Sequence, residues 1–199
     1  MAVLYEDVIP AWYGFCTMLG PSFHESPWRS NLMDLPDLSN GLVAAVPDGI
    51  QLITGTVHGD LRLTVELLDS APEPQPLDWE AVVDVSLLIT DGTLADGDAE
   101  LEFRLPEPGW YRLRASARGR ADAHAHHYGL GDYEDEDKDA PVEEHRITLW
   151  LASPREELVW KHDGLRGAAG RRPLPALGLG SDPEDLNGLY GDSPGDATP

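Results

Sequence analysis

The chain holds one cysteine, Cys16, in 199 residues, so no disulfide can form within it, which fits a reducing compartment. Basic residues are scarce: 14 Lys and Arg stand against 36 Asp and Glu, a formal charge of −22. A field of that sign repels phosphates, which excludes direct DNA or RNA binding and favours a basic partner or plain solubility. No apolar run approaches the length of a membrane span, and Met1–Asp7 lacks a basic start followed by an apolar stretch. A cytoplasmic protein with no membrane contact is the expectation. Helical periodicity is absent wherever strand periodicity is strong, which disfavours parallel βαβ packing.

Short segments that alternate apolar and polar residues fill the chain instead. The clearest is Trp110-Tyr111-Arg112-Leu113-Arg114-Ala115-Ser116-Ala117-Arg118. Side chains alternate across a strand, so Tyr111, Leu113, Ala115 and Ala117 face a core, while Trp110, Arg112, Arg114, Ser116 and Arg118 face water. The same pattern recurs at Leu61–Leu67, Trp79–Thr90, Leu101–Leu105 and His145–Ala152, where Ile147, Leu149 and Leu151 point inward. Residues 2–9 and 11–19 read as two further strands, rich in residues that favour a pleated surface. Residues 42–56 read as a hairpin turning at Pro47-Asp48-Gly49, where Pro presets φ and Gly accepts a positive φ. Residues 21–41 read as loop, with a short helical turn near 30–35.

Together these segments predict an all-β fold, an antiparallel β-sandwich of about eight or nine strands over residues 1–161. Residues 119–144 read as a mobile surface loop within it, since they carry His124, His126 and His127 and the acidic block Asp132–Glu144. Residues 162–199, with eight Gly and five Pro and no periodicity, read as a mostly disordered tail with a short turn at 181–187.

Motifs for chemistry are missing. There is no Gly-x-Ser-x-Gly elbow, no phosphate-binding glycine loop before a Lys, and no selected pair among the many carboxylates. Cys16 lies among Phe15, Thr17 and Met18 and reads as a small buried hydrophobe. No cofactor is implied. The metal candidates are His124, His126 and His127, near Asp122, since imidazoles with carboxylates suit zinc, copper or nickel. The competing reading is adventitious binding by a flexible loop, because real sites hold their ligands on rigid elements.

One local reversal of charge stands out. Residues 104–120 carry five arginines and one acid, Glu107. Arg112, Arg114 and Arg118 share a face with Trp110, and Trp150 and Trp12 also fall on the polar parity of their strands. Arg and Trp are enriched at interface hot spots, so Trp110, Arg112, Arg114, Arg118 and Trp150 are candidate partner-binding residues. Glu134, Asp135, Glu136 and Asp137 are candidates for steering a basic partner. The plain alternative is cross-strand pairing of the arginines with Glu66, Asp84 or Glu102.

A sequence order carries one resemblance. Asp48-Gly49-Ile50 opens a strand, a long alternating strand covers 61–68, Trp79-Glu80 precedes another, and Leu105-Pro106 leads to Gly109-Trp110-Tyr111-Arg112-Leu113. In this the chain resembles the competence protein J family, which includes a DNA-entry nuclease inhibitor, over about residues 41–118 and on to 152. It is also similar to a group of actinobacterial proteins with a Gly-Trp-Tyr-Arg-Leu-Arg run. The turn here carries Glu107 and Pro108 beyond the family pattern, and the chain is longer at both ends. The resemblance implies a non-enzymatic protein that binds another protein and blocks it, an inhibitor or immunity-type protein. It assigns no individual inhibitory residue. The alternative function is a β-sandwich binding a metal or small ligand through the His124–His127 segment.

Overall fold

A computed structural model describes residues 1–25, 39–73, 78–96, 101–127 and 142–165. The strands are β1 (Ala2–Trp12), β2 (Phe15–Leu19), β3 (Val43–Val46), β4 (Gly49–Ile53), β5 (His58–Leu67), β6 (Ala81–Ile89), β7 (Thr93–Ala95), β8 (Glu102–Arg104), β9 (Gly109–Arg118), β10 (Glu143–Leu151) and β11 (Leu158–Lys161). A 3-10 turn covers Pro21–Glu25, and one helix, α1 (Arg120–His127), precedes β10. The strands join one sheet in the order β11-β6-β9-β10-β5-β1-β2-β4-β3, with β7 paired to β2 and to β8.

This corrects the antiparallel sandwich. The fold is mostly β, but its strands belong to one mixed sheet, curled into a half-barrel. β10 pairs parallel with β5, Glu143 beside Leu61 through Leu149 beside Leu67. Period two reveals which side chains are covered and is silent on what covers them. Here the sheet covers itself. Its far end bends back, so that Asp48 N in the β3–β4 turn donates to Leu88 O at the end of β6 (2.8 Å). The Asp48 carboxylate accepts from Thr90 N and Thr90 Oγ1, both at 2.6 Å. The trough fills with the alternating apolar sets: Leu61, Leu63 and Val65; Val83, Val85 and Leu87; Tyr111, Leu113 and Ala115; Ile147 and Leu149. Leu151, expected inward, is exposed at the end of β10.

Two turns differ in detail from the sequence expectation. In the β3–β4 hairpin it is Asp48 that takes the left-handed conformation (φ 54°). Gly49 is already strand, paired with Val46; a Cβ there would lie 2.9 Å from Val46 Cγ2 and 3.1 Å from the Phe23 ring. Residues 11–19 are not one strand. Tyr13 and Gly14, with φ of 56° and 84°, break them into a two-residue hairpin turn between β1 and β2. Positive φ at both central positions matches the right-handed twist of the flanking strands.

Within the expected loop 119–144, two stretches belong to regular elements. Its first third is α1, with Asp122 in the first turn, where a carboxylate suits the positive helix end. Its last residues, Glu143 and Glu144, begin β10. Residues 128–141, the expected helical turn near 30–35 and the tail beyond 165 lie outside the described residues.

Candidate interaction surface

The outer face of β9 was expected to be wet, and at its centre it is not. Segment 152–157 leaves β10 and passes over β9 and β6 to reach β11. Arg112 Nη1 donates to Ser86 Oγ (2.9 Å) and to Arg155 O in that segment (3.0 Å). Arg114 grips Asp84 in a fork, Nε to Oδ1 at 2.7 Å and Nη2 to Oδ2 at 2.9 Å, with side chains only 6% and 7% exposed. Its Nη1 donates to Glu73 O, and its guanidinium lies 5.9 Å from the Trp150 ring and 5.4 Å from the Trp160 ring. Arg112, Arg114 and Trp150 are therefore buried. Trp110 is half-buried at the start of the strand. Arg118 reaches the surface, paired with Glu144 and stacked over Trp79 (5.1 Å). Of the three carboxylates named as cross-strand partners, Asp84 takes that role for Arg114, while Glu102 holds Arg104.

Beside this face a pocket of about 220 Å³ is lined by Arg62, Glu80, Arg118, Gly119, Val142, Glu143 and Glu144. Below it, Glu143 is buried at the end of the trough. Its carboxylate accepts from Gly55 N (3.0 and 2.9 Å), Thr56 N (3.1 Å) and His145 Nε2 (2.5 Å). Burial pushes this carboxyl up, but the His145 hydrogen bond and charge and the two amides outweigh it and hold the group below the usual carboxylate range. The dyad ties β10 to the β4–β5 connection. Among the described residues His145 Nδ1 is buried without a hydrogen-bond partner. Cys16 is remote from such chemistry: burial, then the Asp96 charge, push its thiol up to about 12.

The histidine candidates occupy α1. Positions three apart share a helix face and positions two apart do not, so His124 and His127 lie together while His126 turns away. The His127 ring lies 6.2 Å from His58. Among the described residues no three His, Cys, Asp or Glu side chains gather to hold a metal ion. Glu134, Asp135, Glu136 and Asp137 lie outside the described residues.

Trp12, which the sequence places on the polar parity of its strand, belongs with Tyr13 to the most exposed aromatic group among the described residues, and neither was among the expected partner-binding residues. Trp12 and Tyr13 stand at the tip of the β1–β2 hairpin, 61% and 66% exposed. Both rings meet His58 edge to face, at centroid distances of 5.7 and 5.0 Å. Trp12 pairs with His58 across β1 and β5, and Pro10 and Val8 continue the same outward face, opposite Asp60 and Arg62. A non-glycine residue in the left-handed region costs free energy, so Tyr13 is held in a conformation that asparagine or glycine would adopt more readily. The signal in the sequence was Tyr13-Gly14 between two aromatic-rich stretches, a turn hidden inside what read as one strand.

The described helix is too short to cross a membrane. No protein-family model matches the sequence, and no curated protein matches it. Two solved structures are similar. One is the crocagin biosynthetic gene J protein, 16% identical, with a TM-score of 0.47, covering 76% of this chain and 98% of that one. The other is ComJ from Bacillus subtilis, described as an inhibitor of the DNA-degrading activity of NucA, 13% identical, with a TM-score of 0.44 and the same coverage of 76% and 98%. Both likenesses are weak, and ComJ is the one that bears the name of the resemblance noted in the sequence.

Proposed function

We propose that this chain is a non-enzymatic, cytoplasmic binding protein that docks a basic protein and blocks it, as an inhibitor or immunity-type protein does. One observation carries the reading: a chain of charge −22 presents two exposed aromatic rings, Trp12 and Tyr13, at the tip of a hairpin. Large exposed aromatics anchor interfaces, and the charge selects the partner. A nuclease meets that description on physical grounds, because its cleft is basic in order to hold phosphates. In this reading Glu134, Asp135, Glu136 and Asp137 steer the encounter and Arg118, level with Arg62 in the sheet, lies at the margin of the contact, whereas Trp110 stands at the other end of the sheet. Arg112, Arg114 and Trp150 brace the sheet from within. The buried polar groups support the non-enzymatic part, since Arg114 with Asp84 and Glu143 with His145 form internal ties.

The test is recovery of the partner from the native host with the full chain as bait, at low and at raised salt, followed by titration of the purified pair. The expected result is a stoichiometric, basic protein that is released by salt and loses its activity as this chain is added. An acidic partner, or a partner whose activity is untouched at saturation, overturns the proposal.

A further inference from the structure

Tryptophan in this protein has a recurring companion. Trp79 lies under Arg118 and Arg146, at 5.1 and 5.2 Å from ring centroid to guanidinium carbon. Trp150 and Trp160 both lie against Arg114, at 5.9 and 5.4 Å. Trp110 and Trp12 are different: among the described residues no cation of the chain lies over either ring, and of the two Trp12 is the exposed one, with the edge-to-face His58 as its neighbour. A positive charge over an indole face is attracted by the ring quadrupole, and tryptophan is the best of the aromatic side chains at this.

The surroundings of Trp12 supply the second half of such a site. His58 pairs with Trp12, and Asp60, two residues along β5, lies on the same outward face opposite Pro10. Two residues of strand span roughly 7 Å, within reach of a guanidinium or ammonium group laid on the indole. Asp60 is exposed and makes no ion pair among the described residues. Ring, carboxylate and the net charge of −22 all select a cation.

We infer that Trp12, flanked by Tyr13 and Asp60, receives an arginine or lysine side chain of the docked protein. This rests on the proposed docking of a basic partner and names the chemistry of its anchor. The partner's side chain occupies at Trp12 the place that Arg114 and Arg118 occupy at the inner tryptophans.

The probe is a short peptide of alternating glycine and arginine, with its neutral citrulline counterpart, titrated into the full chain at about 0.15 M salt, where long-range attraction is largely screened. The arginine peptide is expected to shift the Trp12 indole resonance, identified by its loss in Trp12→Phe, and the citrulline peptide to leave it in place. Trp12→Ala and Trp12→Leu each weaken arginine-peptide binding about two- to fivefold, and Trp12→Phe, which keeps a ring, weakens it less. Asp60→Asn weakens it as well. Binding that is unchanged in both Trp12→Ala and Trp12→Leu, or equal binding of the citrulline peptide, overturns the assignment. If the native basic partner still binds while Trp12 is indifferent, the anchor falls and the docking stands. If Trp12 takes the arginine peptide but no basic partner exists in the host, the docking falls and the cation site stands.

Discussion

Asp84→Asn is the substitution that separates an arginine strut from an arginine grip. The amide keeps the shape of the carboxylate, removes its charge and places an N–H₂ against one arm of the Arg114 fork. Both partners are more than nine-tenths buried, and the fork is made at 2.7 and 2.9 Å. Removing one member of such a pair leaves the other charge buried without compensation and costs about 3–5 kcal/mol. Arg114 keeps Glu73 O and the faces of Trp150 and Trp160, so the lower end, about 3 kcal/mol, applies. That is a large share of a typical stability of about 5–15 kcal/mol. With a urea m-value of about 2–3 kcal/mol/M, the midpoint falls by about 1 M or more. The assay is urea unfolding followed by tryptophan fluorescence and far-ultraviolet dichroism. The double variant Asp84→Leu with Arg114→Met removes both charges and recovers most of the loss, because an apolar pair of similar volume replaces a desolvated ionic one. A midpoint shift of Asp84→Asn below a few tenths of a molar, about 0.5 kcal/mol, refutes the strut and returns the β9 arginines to the surface.

Three further outcomes follow from the same structure. Glu143→Gln lowers stability at neutral pH by about 1–3 kcal/mol, since the Gly55 and Thr56 amides and His145 lose their charged acceptor. Because the folded-state carboxyl is held below its ordinary value of 4.5, its contribution is present above that pH and lost as pH falls through the folded value. Acid unfolding curves of Glu143→Gln are therefore flatter below pH 4.5 than those of the parent, and parallel curves contradict the assignment. Cys16, with its thiol pushed up to about 12, resists thiol reagents at neutral pH until the chain unfolds; rapid stoichiometric labelling of the native protein contradicts its burial. Gly55→Ala places a Cβ 2.0 Å from Arg120 O, a backbone atom, and destabilises by about 3 kcal/mol in thermal unfolding; a neutral result means the β4–β5 connection and α1 do not approach as described.

What the sequence determined by itself is the inward set of the central strands, up to the end of β10 where Leu151 is exposed. Leu61, Leu63 and Val65, Val83 and Val85, and Tyr111, Leu113 and Ala115 all line the core, because a side-chain period of two is a local property of extended backbone. The turn at Pro47-Asp48-Gly49 was equally local, although Asp48 and not Gly49 takes the positive φ. What only the tertiary structure decided is how the strands meet. The parallel contact of β10 with β5 joins residues some eighty positions apart, and no local pattern encodes it. The pairing of Arg114 with Asp84 was open to the sequence as an alternative, but the burial of that polar face was hidden for the same reason. Arg112 and Arg114 read as wet because arginine normally seeks water, yet Asp84, Ser86 and Arg155 O, brought in from other strands and from the crossing segment, satisfy them in the interior. Trp12 shows the converse: aromatic content suggested a continuous strand, and the left-handed pair Tyr13-Gly14 turned that stretch into a tip that holds its rings in water. Burial is a property of what lies opposite, and what lies opposite is set by long-range contacts that a single stretch of chain does not contain.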